Sequence, residues 1–191
     1  MRIVGGALRG RRFDGPKGNA TRPTADRVRE AMASALKSRG AIEGAVVLDL
    51  FAGTGALAFE ALSRGAARAV LVERDARVHK ALKQSAESLG LRDRARLIRA
   101  DVYRHPKRAI TGGPFDLVFI DPPYDRVVEL GPVFAALVEV CSDDAIIVVE
   151  QARNDAFDFE GDPSLSPTNT YEYGDTLVTF ATVCKHAGAR P

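Results

Sequence analysis

The stretch that decides the fold is residues 49–58, Asp49-Leu50-Phe51-Ala52-Gly53-Thr54-Gly55-Ala56-Leu57-Ala58. It follows an apolar run that predicts a strand over residues 45–50, and it leads into a predicted helix over residues 56–64, which ends at Gly65. Gly53 and Gly55 allow a tight turn and a close approach of the backbone to a neighbouring molecule. A strand, a glycine-rich turn and a helix in succession are typical of the first unit of an open α/β sheet.

Strand-like and helix-like segments alternate along the chain from residue 45 onward. We predict further strands over residues 69–73, 95–100, 115–120 and 145–150, and helices over residues 75–89 and about 132–141. The apolar runs are continuous, as expected for parallel strands that are covered on both faces. Residues 168–173 and 176–184 instead predict an antiparallel hairpin around Gly174-Asp175. The expected fold class is therefore α/β, a Rossmann-like, mostly parallel sheet with an antiparallel C-terminal hairpin.

Length and composition predict one domain, residues 1–191, in which residues 1–20 form an N-terminal arm and residues 21–191 the core. The sequence has neither a signal-peptide pattern nor an apolar run of roughly 18 residues, so we expect a cytoplasmic, monomeric protein with no membrane association. Cys141 and Cys184 are interpreted as small core residues in a reducing compartment. His79, His105 and His186 lack metal-ligand spacing, which predicts no metal site.

Positive charge is concentrated at the N-terminus. Residues 1–40 carry ten Arg and Lys residues and three acids, a net charge of +7, whereas the rest of the chain carries −5. The first 20 residues predict a small hairpin or an extended arm with a loop at residues 15–19, and Pro23 opens a helix with Thr24 as its cap. A basic arm suggests a polyanionic partner, with a solvated tail as the alternative. The candidate contacts to such a partner are Arg9, Arg11, Arg12, Arg22, Arg27 and Arg29.

Four acids fall at the carboxyl ends of successive predicted strands, namely Asp49, Glu73, Asp101 and Asp121. Ligands of open α/β sheets bind just beyond those ends. Gly53-Thr54-Gly55 matches a Gly-x-Gly-x-x-Ala pattern, and Glu73 lies 20 residues after Gly53, where an acid that binds a ribose is expected. These features predict an adenosine-type ligand.

Two details favour a cationic sulfonium ligand over a nicotinamide cofactor. The loop between strand and first glycine is long, and Asp49 would repel a pyrophosphate but attract a sulfonium amino acid. Asp101 is a candidate acceptor for the adenine amino group, with a helix cap as the alternative role. The predicted cofactor-binding residues are Asp49, Phe51, Ala52, Gly53, Thr54, Gly55, Glu73, Arg74, Asp101 and Val102.

The run Leu117-Val118-Phe119-Ile120-Asp121-Pro122-Pro123-Tyr124 carries the candidate chemistry. Two prolines end the strand abruptly and present carbonyl acceptors without N–H donors, so Asp121 and its neighbours are suited to hold an amino group. The alternative is a plain turn in which Asp121 caps a helix. The run resembles the Asp-Pro-Pro-Tyr motif of S-adenosylmethionine-dependent methyltransferases that modify an exocyclic amine of a nucleobase. That resemblance makes Asp121, Pro122, Pro123 and Tyr124 the candidate catalytic residues.

The whole chain resembles the bacterial family of 16S ribosomal RNA guanine-N(2) methyltransferases. The resemblance includes residues 1–12 and the more specific segment of residues 21–32, Thr-Arg-Pro-Thr-Ala-Asp-Arg-Val-Arg-Glu-Ala-Met, whereas residues 157–167 are less familiar. It implies a seven-stranded class I methyltransferase fold, S-adenosylmethionine as cofactor, and methylation of a guanine amine within an assembled or assembling small ribosomal subunit. The alternatives are a DNA base methyltransferase and a non-catalytic nucleic-acid-binding or ribosome-assembly protein. A small-molecule methyltransferase would leave the basic arm unexplained.

Overall fold

A computed structural model describes residues 1–14, 23–159 and 163–185 of the chain. Within these residues seven strands form one sheet, and their bounds, from β1 to β7, are Val46–Leu50, Arg68–Glu73, Ala95–Arg99, Phe115–Ile120, Cys141–Ala152, Leu165–Tyr173 and Thr176–Val183. The strands lie in the order β3-β2-β1-β4-β5-β7-β6. Strands β1 to β5 are parallel, whereas β7 runs antiparallel to both β5 and β6.

Helices cover both faces of this sheet. In the described part of the chain, α1 to α5 are Pro23–Ser38, Ala56–Ser63, Ala76–Leu89, Pro106–Ala109 and Gly131–Val138. Helices α1, α2 and α3 contribute Met32, Phe59 and Leu82 to one core cluster, while Phe134 of α5 belongs to the cluster on the opposite face. The continuous apolar strands are therefore explained by burial on both sides. None of the described helices is long and apolar enough to cross a membrane.

The chain reverses its strand order at β1, which has β2 on one side and β4 on the other. In open α/β sheets such a reversal opens a crevice beyond the carboxyl ends of the strands. The architecture thus places a crevice at the glycine-rich turn that follows β1.

Several elements differ from their predicted bounds, among them β6, which begins at Leu165, three residues before its predicted start. Strand β5 begins earlier than predicted, because residues 142–144 are polar and do not continue the apolar run. In that part of the strand, Ser142 Oγ donates to the Phe115 carbonyl at 3.1 Å. Helix α4 and the 3-10 helix Tyr124–Glu129 were not predicted, since both are short and lack an apolar period. Helix α5 ends at Val138, three residues before the predicted end.

The N-terminal arm is a small hairpin that packs on the core. An isolated bridge joins Arg2 to Arg12, and the Ile3 N–H donates to the Arg11 carbonyl at 3.0 Å. Ile3 and Phe13 are 1% and 4% exposed, and the Phe13 ring meets that of Phe59 edge-on with centroids 5.5 Å apart. Of the two forms that the sequence left open, a hairpin or an extended arm, residues 1–14 adopt the hairpin. The predicted loop over residues 15–19 and the side chain of the predicted cap Thr24 lie outside the described residues.

Polar contacts from α2 hold the same arm. Ser63 Oγ donates to the Gly5 carbonyl at 2.6 Å and accepts the N–H of Leu8 at 2.9 Å. Glu60, 3% exposed, accepts the Val4 N–H at 2.9 Å. Residues 1–14 are therefore part of the folded core surface rather than a free tail.

The less familiar segment before β6 closes the core beside α5. The rings of Phe157 and Phe159 lie 4.9 Å and 6.0 Å from that of Phe134, and the Phe157 N–H donates to Gln151 Oε1 at 3.0 Å. Cys141 is buried, as predicted for a core residue, while Cys184 is only half-buried. Burial raises the pKa of the Cys141 thiol to about 12, so it is unreactive at neutral pH.

Candidate active site

The structure brings the four strand-end acids to one edge of the sheet. Glu73 is the last residue of β2, Asp121 directly follows β4, and Asp101 lies two residues beyond β3. Asp49 is the penultimate residue of β1 and pairs with Phe119 across the sheet. The charges of Asp121 and Glu73 both act on Asp49, so these three acids lie close enough to interact.

The glycine-rich turn after β1 has a left-handed backbone at three positions. Phe51, Gly53 and Gly55 have φ angles of 62°, 52° and 77°. The Gly55 N–H donates to the Ala52 carbonyl at 2.7 Å, and the turn leads into α2 within one residue. A Cβ at Gly55 would lie 2.5 Å from Leu82 Cδ1, so packing excludes any side chain there. A Cβ at Gly53 would have only the Phe51 carbonyl oxygen within 4 Å, at 3.8 Å, so this glycine borders open space.

Glu73 joins the glycine-rich turn to the start of α3. Its Oε2 accepts the Gly53 N–H at 3.0 Å, and its Oε1 accepts the Asp75 N–H at 2.7 Å. Asp75 in turn caps α3 by accepting the N–H groups of Arg77 and Val78. These backbone hydrogen bonds lower the pKa of Asp75. Each Glu73 oxygen has a further lone pair, and the fixed carboxylate is suited to accept hydroxyl donors from a ligand.

An open cavity of about 500 Å³ lies at the ends of β2 and β3. It is lined by Arg74, Asp75, Ala76, Arg99, Ala100 and Asp101. Two predicted cofactor residues, Arg74 and Asp101, therefore line one cavity.

Asp49 lies beneath the turn rather than on its surface. It is 2% exposed, and its Oδ2 accepts the Ala58 N–H at 3.2 Å. Gly55, the residue before α2, has no side chain to cap the helix, so Asp49 provides that cap from β1. Burial raises the pKa of Asp49 well above its usual value, and the charges of Asp121 and Glu73 raise it further against the effect of the Ala58 hydrogen bond. The attraction of Asp49 for a cationic ligand stays a prediction, and the structure adds that its carboxyl caps α2 from beneath the turn.

Asp101 has the capping role that was weighed as its alternative. Its Oδ1 accepts the N–H groups of Tyr103 and Arg104 at 3.0 Å and 3.2 Å. Its side chain is 23% exposed and lines the cavity, and its Oδ2 lies 3.9 Å from Nε of Arg104 in an ion pair. The neighbouring Val102 is 3% exposed and belongs to the core.

The Asp-Pro-Pro corner follows β4 as an extended turn. Pro123 has φ −56° and ψ 130°, and its carbonyl accepts the Arg126 N–H at 3.0 Å. Asp121 remains accessible at the crevice, yet the protein packed around its carboxyl raises its pKa to about 8, first by desolvation and then through the charge of Glu150. The side chain of Tyr124 lies outside the described part of the chain.

Comparison with known proteins identifies the family. The model of the family described as Conserved hypothetical protein 95 matches residues 1–182. The chain belongs to this family. Its relatives include Ribosomal RNA small subunit methyltransferase D of Escherichia coli, which is 41% identical over 126 residues, or 66% of this chain and 61% of that protein. The match to this curated relative thus spans less than two thirds of its length.

Two further similar proteins match over more of their length. Putative rRNA methyltransferase YlbH of Bacillus subtilis is 34% identical over 158 residues, which cover 80% of this chain and 83% of that protein. The solved structure of putative methyltransferase yhhF from Escherichia coli is 33% identical, with a TM-score of 0.79 over 96% of this chain and 97% of that one. The predicted family and the predicted Rossmann-like methyltransferase fold are confirmed.

The sequence did not predict a contact that joins the glycine-rich turn to the region after the Asp-Pro-Pro corner. The Tyr103 ring lies 5.0 Å from that of Phe51, and its hydroxyl donates to the Arg126 carbonyl at 3.0 Å. The Arg126 guanidinium stacks 4.0 Å from the Tyr103 ring and pairs with Glu129 at 2.5 Å. Tyr103 thereby connects the glycine-rich turn to the helix that follows the Asp-Pro-Pro corner. Its position two residues after Asp101 was the only signal in the sequence.

The structure divides the arginines that were predicted to contact RNA. Arg9, Arg12 and Arg27 are exposed, and Arg22 lies outside the described residues. Arg11 is also exposed, but its guanidinium donates to the Ser88 and Leu89 carbonyls at 2.5 Å and 3.1 Å, at the C-terminal end of α3. Arg29 is only 6% exposed, and its Nη2 donates to the Arg2 carbonyl at 3.2 Å. The prediction for Arg29 is therefore corrected, because a buried guanidinium is not presented to a polyanion.

Proposed function

We propose that the protein transfers a methyl group from S-adenosylmethionine to the exocyclic N2 amine of a guanine in small-subunit ribosomal RNA. The observation that carries this proposal is the meeting of two structures at one sheet edge, the Gly53–Glu73 turn and the Asp121-Pro122-Pro123 corner. The names of the relatives in Escherichia coli and Bacillus subtilis support RNA as the substrate class.

The crevice beside Glu73 fits an adenosyl ligand. Gly53 leaves open space at the turn, where a Cβ would otherwise project. Glu73 is held by two backbone N–H groups and accepts the ribose hydroxyls, while Asp101 and the cavity beyond it take the adenine. Phe51, Ala52, Thr54 and Arg74 complete the wall of this proposed cofactor site. Gly55, Val102 and Asp49 support that wall from the packed side.

The bound cofactor supplies an electrophilic methyl group on a sulfonium centre. A nucleobase amine is a weak nucleophile because its lone pair is delocalised into the ring. Asp121 and the Pro122 carbonyl accept the two N–H groups, which orients the amine and localises its lone pair. Tyr124 stacks on the base once that base has been turned out of its helix or loop. Positioning then supplies much of the rate acceleration.

The substrate in this proposal is an assembled or assembling small subunit, and the enzyme acts as a monomer in the cytoplasm. Exposed Arg9, Arg12 and Arg27 contact the phosphate backbone. The arm that carries two of these arginines is fixed to α2 by Ser63 and Glu60, so it presents its charges from a rigid surface. A single small domain suits a substrate whose loop is already presented by a folded ribonucleoprotein.

The experiment that tests the proposal offers several acceptors to the enzyme with methyl-labelled cofactor. The acceptors are small subunits that lack the modification, naked ribosomal RNA and duplex DNA, each followed by digestion to nucleosides. We expect label in N2-methylguanosine from ribosomal RNA. Label in duplex DNA, or in another nucleoside, would contradict the proposed substrate.

Asp121→Ala tests the role of Asp121 in the same assay. We expect the variant to bind the cofactor as well as the wild type and to transfer no methyl group, because Asp121 holds the acceptor and not the donor. A loss of cofactor binding would show that Asp121 had been given the wrong role.

A further inference from the structure

Glu150 stands beside Asp121 at the carboxyl edge of the sheet. Strands β4 and β5 are parallel with Ile120 opposite Val149, so the next residues along both strands, Asp121 and Glu150, are neighbours. Ile120 and Val149 face the same core cluster. Because side chains alternate along a strand, Asp121 and Glu150 turn to the other face, where Phe119 lies.

Arg29 reaches this same face from α1. It lines a small cavity together with Met32, Glu60, Arg64 and Phe119, which precedes Asp121 by two residues. Glu60 and Arg64 form an ion pair at 2.7 Å. The positive charge of Arg29 favours the ionised form of Glu150, although burial has the larger effect and raises the pKa of Glu150 overall. The structure thus has a row of charged residues that leads from α1 to the Asp-Pro-Pro corner, namely Arg29, Glu150 and Asp121.

Other charged groups also face Asp121. The charge of Asp121 raises the pKa of Asp49 in β1, and the charge of Glu73 raises it further. Burial raises the pKa of both Asp49 and Glu150, but the charge of Arg29 favours the ionised form of Glu150. The charge that raises the pKa of Asp121 after burial is that of Glu150. Glu150 is therefore the neighbour able to control the protonation of Asp121.

We propose that Glu150 is a positioning residue for Asp121, whose carboxylate, supported by Arg29, keeps Asp121 basic enough to accept the proton that the methylated amine releases. This inference rests on the proposed function. In the transfer step, the amine nitrogen bonds to the methyl carbon as the carbon–sulfur bond breaks, and the electron pair of that bond remains on sulfur. One N–H proton passes to the Asp121 carboxylate and then to water, which leaves a neutral methylamino group. Asp121 without a negative neighbour would be a weaker proton acceptor.

The direct test is a titration of the Asp121 carboxyl by carbon NMR in the cofactor-free protein. We expect a midpoint near 8 in the wild type. Glu150→Gln should lower that midpoint by about one pH unit or more, since a like charge has been removed. Glu139→Gln, at the end of α5 just before the opposite end of β5, is the matched control and should leave the midpoint unchanged. An equal midpoint in the wild type and Glu150→Gln would overturn the proposal.

The Arg29 variants test the second half of the row. Arg29→Met should lower the Asp121 midpoint as Glu150→Gln does, because Glu150 then becomes neutral more readily. Arg29→Lys keeps the charge and should restore the midpoint. If the titration midpoint of Asp121 is the same in Arg29→Met as in the wild type, the proposed role of Arg29 would be overturned.

The pH profile of single-turnover methyl transfer separates this inference from the proposed function. The acidic limb for Glu150→Gln should shift to lower pH, and its plateau rate should fall, while Glu139→Gln follows the wild type. A wild type that transfers no methyl group to RNA would contradict the proposed function and leave the NMR result to decide on Glu150. If the wild type transfers the methyl group and the acidic limb of the pH profile is the same for Glu150→Gln, only the role of Glu150 would be contradicted.

Discussion

Gly53 and Gly55 are two residues apart in one turn, and the structure predicts that alanine has opposite consequences at the two positions. At Gly55 the new Cβ would lie 2.5 Å from Leu82 Cδ1 and 2.7 Å from Phe59 Cε2, and both of these side chains are buried. The left-handed backbone adds about 1–2 kcal/mol and overpacking about 1–3 kcal/mol, so Gly55→Ala should cost about 2–5 kcal/mol. For a chain of this size, that cost lowers the melting temperature by roughly 4–20 °C.

At Gly53 the same substitution meets open space. Only the left-handed backbone is strained there, which costs about 1 kcal/mol, but the methyl group projects where the cofactor would lie. Urea unfolding and calorimetric titration with S-adenosylmethionine measure the two effects separately. Gly55→Ala should lose mainly stability, and Gly53→Ala mainly cofactor affinity. Equal losses of stability, or unchanged binding by Gly53→Ala, would refute the assignment of one glycine to packing and the other to the ligand.

Two further predictions concern the cofactor and the RNA. Glu73→Ala removes charge-assisted hydrogen bonds to the ribose and should weaken cofactor binding, measured by calorimetry, roughly 10- to 100-fold. Glu87→Ala, on the exposed side of α3, is the control. Equal cofactor affinity of the two variants would disprove the ribose role of Glu73. Replacing Arg9, Arg12 and Arg27 with glutamine should weaken RNA binding and reduce its slope against salt by about 2, on the single-strand value for three phosphates. An unchanged slope in filter binding would show that these exposed arginines contact no phosphate.

The sequence alone predicted the elements whose signals are local. Strand β4 has the predicted bounds because two prolines end its apolar run, and the hairpin of β6 and β7 turns at Gly174, whose φ is 62°. The glycine-rich turn and the acid that follows it by 20 residues were recognisable for the same reason, since their spacing is fixed by one βα unit.

The contacts that the sequence did not predict are those made across the fold. Arg29 and Arg11 look like their exposed neighbours in the sequence, and only the packing of α1 and α3 decides that one is buried and the other caps a helix. Glu150 ends an apolar run without any motif of its own, and its partners come from β4 and from a helix near the N-terminus. Charge patterns along a chain do not reveal such partners, because they depend on which faces meet in three dimensions.

A crystal structure with bound S-adenosylhomocysteine tests the central claim most directly. We expect the ribose hydroxyls on Glu73 and the sulfur turned toward Asp121, with room for a methyl group and a planar amine between them. A nucleoside bound away from Gly53, or a sulfur that faces away from the Asp121-Pro122-Pro123 corner, would contradict the account.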